Sequence, residues 1–152
     1  MNQYHQNSRG GRRPQNGHSP QRSTLGIRIV FPNGEGNIDA DLFDATASKV
    51  AKCVADCKPG VNKSTQLRRF YDELVMWEEK ARQNPKKFEQ HLPFIRMLKA
   101  KAAYAEGRKL VDGAFVDLLD QTVDSIKTVE DLRIAKLFFE AFMGFYKLKK
   151  GD

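Results

Sequence analysis

Residues 64–80, STQLRRFYDELVMWEEK, decide the fold class. Leu67, Phe70, Tyr71, Leu74 and Trp77 recur at intervals of three and four, the period that gathers side chains on one face of an α-helix. Arg69, Asp72, Glu73 and Lys80 fall toward water. Asn62 or Ser64 stands where an N-cap would accept from the first free amides. Further on, Asn84-Pro85 and Leu92-Pro93 each restart a helix at a proline suited to the first turn, so a short piece precedes a longer helix through about Glu106. Phe115, Val116, Leu119, Val123 and Ile126 stripe a fourth helix. Thr128 with Asp131 makes a capping-box-like start to a fifth, which holds Leu132, Ala135, Phe138, Phe139, Phe142, Phe145 and Tyr146.

Toward the N-terminus, residues 41–56 are helix-compatible and stop before Pro59-Gly60. Ile27, Ile29, Val30 and Phe31, closed by Pro32-Asn33-Gly34, suit a brief strand or an extended segment laid on the helical body, and no second strand offers itself as a partner. Residues 1–24 are Asn, Gln, Gly, Ser, Pro and Arg with hardly an apolar side chain, too little to offset ordering entropy, so they are expected to be disordered. The expected organisation is a disordered Arg/Gly-containing leader over 1–24, an extended segment over 25–38 and a helical domain over 39–150. The fold class is all-α: a compact bundle of about five helices, antiparallel because the connections are short. No repeat of solenoid period is present.

The 152 residues carry a net charge of +7, which points to a polyanionic partner. Arg9, Arg12, Arg13 and Arg22 are the charges before Leu25, so much of the excess sits in the leader and the folded part must be judged on local placement. Arg9-Gly10-Gly11-Arg12-Arg13 has the composition of an arginine-glycine RNA-binding tract, and a single copy equally suits a solvated leader. No apolar run approaches the roughly 20 residues that span a bilayer. The chain start lacks the apolar stretch and cleavage site of a secretory signal, so a cytoplasmic location without a membrane partner is expected.

No glycine-rich phosphate loop follows a strand, and neither a serine elbow nor a pair of histidines at ligand spacing is present. Cys53 and Cys57, four apart, read as small apolar side chains on one helical side. Asp117, Asp120 and Asp124 share a helical face, which reads as solvated rather than metal-binding. The expectation is a protein that catalyses nothing and needs no cofactor. A stronger signal lies between Pro93 and Lys109, where Arg96, Lys99, Lys101, Arg108 and Lys109 face Glu106 alone. At about 100° per residue, Met97, Lys101, Tyr104 and Arg108 form one stripe beside the core-facing Phe94, Ile95, Leu98, Ala102 and Ala105. Cations flanking an aromatic ring suit RNA, since they neutralise phosphates while the ring stacks on a base or ribose. The same pattern also suits a solvated face with Tyr104 plugging the bundle. Gly107 would end or bend the helix there and let a strand approach. Lys63, Arg68 and Arg69 form a second basic group at a helix start, where cations oppose the helix dipole.

Three segments resemble a known family when taken in order: Ser64-Thr65-Gln66-Leu67-Arg68-Arg69-Phe70-Tyr71, then Leu98-Lys99-Ala100-Lys101 with Tyr104, Gly107 and Arg108, then Phe139-Glu140-Ala141-Phe142 with Tyr146. They look like the signature regions of the small helical subunit of type III-A CRISPR effector complexes, the Csm family. The resemblance covers about residues 61–149 and leaves out the leader and the segment 27–31. It implies a non-catalytic antiviral-defence ribonucleoprotein subunit, stacked in several copies along the channel that holds guide RNA and target RNA. Large backbone subunits and a polymerase-like subunit would be the protein partners, and target cleavage would belong to the backbone subunits. Carried over, Gln66, Arg68 and Arg69 would face RNA from a helix start, Lys99, Lys101 and Arg108 would grip phosphates, and Phe139, Phe142 and Tyr146 would serve the core or a neighbouring copy.

Two other readings compete. A helical protein-interaction module would use the aromatic last helix to bind a partner helix and its basic surface for solubility. A helical DNA-binding regulator would need a basic recognition helix, and the helix after Gly107 is acidic.

Overall fold

The computed structural model describes residues 25–32 and 36–151. The leader expected over residues 1–24 lies outside the described residues. Five α-helices follow one another: α1 (Ala47–Ala55), α2 (Ser64–Gln83), α3 (Phe88–Gly107), α4 (Gly113–Asp124) and α5 (Val129–Lys150). A π-helical turn, Leu42–Thr46, runs into α1, and a 3-10 turn, Pro85–Lys87, runs into α3. No strand occurs among the described residues, so the all-α class holds.

The helix boundaries follow from local chemistry. Thr128 Oγ1 accepts from the Asp131 amide and the Asp131 carboxylate accepts from the Thr128 amide, both at 3.1 Å, which closes the expected capping box. Glu130 and Asp131 in the first turn of α5 and Lys147, Lys149 and Lys150 in the last complement its dipole, and Gly151 ends it in the left-handed region at φ 70°. Asp112 caps α4 by accepting from the Phe115 amide at 3.1 Å.

Two boundaries differ from expectation. Pro93 does not restart a helix but sits inside α3, where it removes a single early backbone bond while the preceding 3-10 turn has already set the helical path. Neither Asn62 nor Ser64 is the N-cap of α2; that position is Lys63, and its side chain makes no capping bond. Asn62 is instead a fully buried tie, held at φ 54°. Its Nδ2 donates to the Val54 carbonyl at 3.1 Å and to Asp112 Oδ1 at 2.9 Å, and its Oδ1 accepts from the Asp112 amide at 3.0 Å. Its backbone amide donates to the Leu110 carbonyl at 3.0 Å, and the Tyr146 hydroxyl donates to its carbonyl. One side chain and one peptide thereby join the end of α1, the α3–α4 turn, the start of α2 and the end of α5.

The core is centred on α5, which packs against α1 and α2, while α4 packs against α3. α1 meets α5 with Ala47, Val50, Ala51 and Val54, all fully buried, and these small side chains let the backbones approach. Phe138, Phe139, Phe142 and Tyr146 fill the centre with no exposed surface, each contributing about 1.5–3 kcal/mol by burial. Residues 25–32 lie extended across this body. Gln121 acts as a substitute strand edge: the Ile29 amide donates to Oε1 at 2.8 Å and Nε2 donates to the Ile27 carbonyl at 2.9 Å. Leu25, Ile29 and Phe31 are buried, and the Phe31 ring meets Phe138 edge-on at 6.3 Å.

Candidate nucleic-acid interface

α2 and α3 run antiparallel, and three contacts fix their register. Asn62 bonds Leu110 at one end, Glu73 Oε1 meets Lys101 Nζ at 2.7 Å in the middle, and the Trp77 ring stacks on Phe94 at 6.0 Å and 16° at the other end. Leu67, Phe70 and Leu74 of α2 and Ile95, Leu98, Ala102 and Ala105 of α3 go inward as expected. Phe94 does not: it is 53% exposed, because its place on the helix lies at the flank bordering α2 rather than under α4.

The stripe read from helical spacing is an open surface. Met97 is 51% exposed and Tyr104 68%, so Tyr104 does not plug the bundle. The Arg108 guanidinium stands 5.8 Å from the Tyr104 ring centroid, a cation–π arrangement in water. Lys101 lies between Met97 and Tyr104 on this flank, and its pair with Glu73 is half in solvent, worth at most about 1 kcal/mol. An arriving phosphate can compete for that ammonium. Gln66, two turns before Glu73 on the same side of α2, falls beside the Tyr104–Arg108 end in this register.

The Asn62 tie also unites the two basic groups that the sequence presents separately. Lys63, next to Asn62, is brought to the turn carrying Arg108 and Lys109, with Lys109 in the left-handed region at φ 61°. Gly107 is the last residue of α3 and needs no special conformation; a Cβ there would meet nothing within 4 Å. α2 itself begins with exposed cations, no acidic residue in its first turn and no side-chain cap, an unfavourable arrangement for the helix alone.

Not every candidate residue joins this flank. Lys99 points the other way and its Nζ meets Asp124 Oδ1 of α4 at 2.7 Å. Arg96 is exposed on the side of α3 away from the core, and Arg69 likewise on α2. Arg68 turns toward α5, pairing with Asp72 at 3.8 Å, and with Tyr71, Glu140 and Lys147 it lines an open cleft of about 620 Å³. Burial, and next Glu140, push the Tyr71 hydroxyl pKa up. Sequence reasoning missed Asn62 and the Trp77–Phe94 pair. Hydrophobic period cannot reveal a buried asparagine, whereas two rings on facing helices become visible once the antiparallel register is known.

The acidic face of α4 holds no group of residues able to bind a metal among those described. Asp117 accepts from Gln121 at 3.1 Å and Asp124 pairs with Lys99. Burial raises the Asp120 carboxyl pKa, opposed by Lys99 and reinforced by Asp124, Asp117 and Glu106. Cys53 and Cys57 are free and half-buried rather than fully buried, with Cys57 Sγ 3.3 Å from the Val61 carbonyl and 3.1 Å from Lys150 Nζ. Phe139, Phe142 and Tyr146 are core residues with no surface to offer a neighbouring copy. No helix among the described residues is long and apolar enough to cross a membrane.

Among the described residues the chain is a small, strand-free bundle of five helices with a cation-and-ring flank between α2 and α3. The family model Csm2 Type III-A matches residues 38–152, and the chain belongs to that family, the small subunit of type III-A Csm complexes of CRISPR systems. The match begins at the described helical body and leaves out the extended segment 25–32. No curated protein and no solved structure matches the chain.

Proposed function

We propose that this subunit lines the channel holding guide RNA and target RNA in its complex, touching phosphates through the α2–α3 flank and catalysing nothing itself. The observation that carries this reading is the alignment of Lys101, Tyr104 and Arg108 on one open flank of α3, joined through Asn62 to Lys63 and Lys109. Lys101, Arg108, Lys63 and Lys109 supply the phosphate contacts, Gln66 adds a hydrogen-bonding group, and Arg69 and Arg96 extend the positive field outward. Lys99 and Arg68, turned to other flanks, act from the rim. Phosphate contacts carry no base information, so binding shows little sequence preference. Further copies of the chain, the large backbone subunits and the polymerase-like subunit complete the complex in the cytoplasm, and the leader over residues 1–24 serves as an accessory.

The interaction-module reading loses its surface, because the aromatic side of α5 is spent on the core. The DNA-regulator reading is no better served, since α4, the helix after the basic turn, presents Asp117, Asp120 and Asp124. The test is purification of the tagged chain from its host at low salt. A guide-length RNA with larger subunits is expected, and RNA retention should fall with salt at a slope of about −0.7 per phosphate contacted on a single strand. Protein partners without RNA would refute the proposal.

A further inference from the structure

Phe94 and Trp77 are the aromatic residues of the α2–α3 flank that phosphate binding leaves without a task. Their rings lie nearly parallel, at 16° and 6.0 Å between centroids, and more than half of Phe94 is open to water. Lys80, one turn beyond Trp77, holds its ammonium 5.1 Å from the indole centroid, and no described carboxylate forms an ion pair with it. About ten residues along the same flank of α3, roughly 15 Å away, the pattern repeats: Tyr104 is 68% exposed with the Arg108 guanidinium over its ring. Lys101 stands between the two.

We propose that the Trp77–Phe94 stack is a docking platform for an unpaired RNA base, the second of two ring-and-cation stations on this flank, the first being Tyr104–Arg108. The inference rests on the RNA reading above and adds to it a base-stacking contact at residues outside the phosphate-binding set. Chemistry selects the occupant. A nucleobase offers a flat π-face to Phe94 while its own phosphate meets Lys80, and a second base reaches Tyr104 with Lys101 neutralising the backbone between them. A partner protein helix would place apolar side chains at the centre of the patch and leave charges at the rim, because charged residues are depleted from the cores of protein interfaces. Here the cations lie among the rings. Bases held in a duplex have no free face for either station, so the contact belongs to single-stranded or splayed nucleotides.

Trp77 is the single tryptophan of the chain, so intrinsic fluorescence reports on the platform directly. The full chain is titrated with an oligoadenylate of about twelve nucleotides and with inorganic polyphosphate of similar charge, a polyanion without bases, at about 50 mM salt. Oligoadenylate should quench the Trp77 emission and polyphosphate should bind without quenching. Phe94→Ala, and Phe94→Leu which keeps apolar bulk without a π-face, should each weaken oligoadenylate about tenfold and leave polyphosphate unchanged, while Phe94→Tyr retains binding. If both Phe94 variants bind oligoadenylate like the parent while Lys101→Glu with Arg108→Glu weakens both probes, the platform is overturned and the phosphate reading stands. If neither probe binds the parent chain, both fall. If Phe94→Ala instead abolishes a concentration-dependent self-association without touching either affinity, the patch is a contact between copies and the proposal is wrong.

Discussion

α3 and α5 are helices of similar length, 20 and 22 residues, whose large side chains are placed differently: the α5 rings are gathered into the core, whereas several of the large side chains of α3 face water. On α5, Phe138, Phe139, Phe142 and Tyr146 are sealed under α1 and α2, with Phe115 of α4 edge-on to Phe139 at 6.5 Å. On α3, Phe94, Met97 and Tyr104 stay more than half exposed while Phe88, Ile95, Leu98, Ala102 and Ala105 go inward. The difference lies in their neighbours: the α5 rings stand among one another, whereas the α3 rings alternate with Lys101 and Arg108, whose charges must stay in water. Large apolar side chains kept in solvent beside cations are not accounted for by folding, and that is the ground for reading the α2–α3 flank as functional.

The sharpest way to break this contrast is to truncate one ring on each helix. Phe142→Ala should cost about 3–5 kcal/mol in urea unfolding, against no more than about 0.5 kcal/mol for Tyr104→Ala. Equal losses would mean that Tyr104 belongs to the core after all. Asn62, which ties the two regions together, comes next. Asn62→Ala strands the Asp112 amide and the Val54 carbonyl and places an alanine at positive φ, so a loss of about 2 kcal/mol or more is expected, with Asn62→Gly recovering only the backbone part.

Gln121→Leu should release residues 25–32 at a loss of about 1–2 kcal/mol, with faster hydrogen exchange at the Ile29 amide and no change at α5 amides. The smallest effect concerns pH. Burial, aided by Asp124, Asp117 and Glu106, raises the Asp120 carboxyl pKa, so the folded state holds that proton to higher pH than the unfolded chain. The resulting penalty is present above the folded pKa and vanishes below the unfolded one. Asp120→Asn should therefore stabilise the chain slightly at neutral pH, the gain held small because solvent screens this partly exposed group, and not at all in acid, as followed by thermal unfolding at each pH.

The fold was largely legible because its signals are local. Period-three-and-four apolar residues mark α2 to α5, helix-compatible residues ending before Pro59-Gly60 mark α1, and Thr128 with Asp131 announces the start of α5. Pro93 misled because the rule that proline opens a helix competes with its tolerance near an early turn, and the 3-10 turn at Pro85 had already taken the opening role. Of the candidate interface, helical spacing alone gave Met97, Lys101, Tyr104 and Arg108. Which cations share that flank was not legible: sending Lys99 to Asp124 and Arg68 toward α5 depends on the placement of α4 and α5, which no spacing within α2 or α3 encodes. Phe94, core-facing by spacing within α3, is exposed for the same reason.

The proposed RNA contact is the α2–α3 flank rather than net positive charge anywhere on the bundle. Lys101→Glu with Arg108→Glu on α3 is compared with Lys49→Glu with Lys52→Glu on the exposed side of α1, two variants with the same change in charge. Type III-A complexes assembled with each are assayed for retention of target RNA, and each variant's helical content and melting are checked. Both variants should fold, the α3 variant should lose RNA and the α1 variant should keep it. Equal retention by both, or equal loss, would contradict the proposed contact.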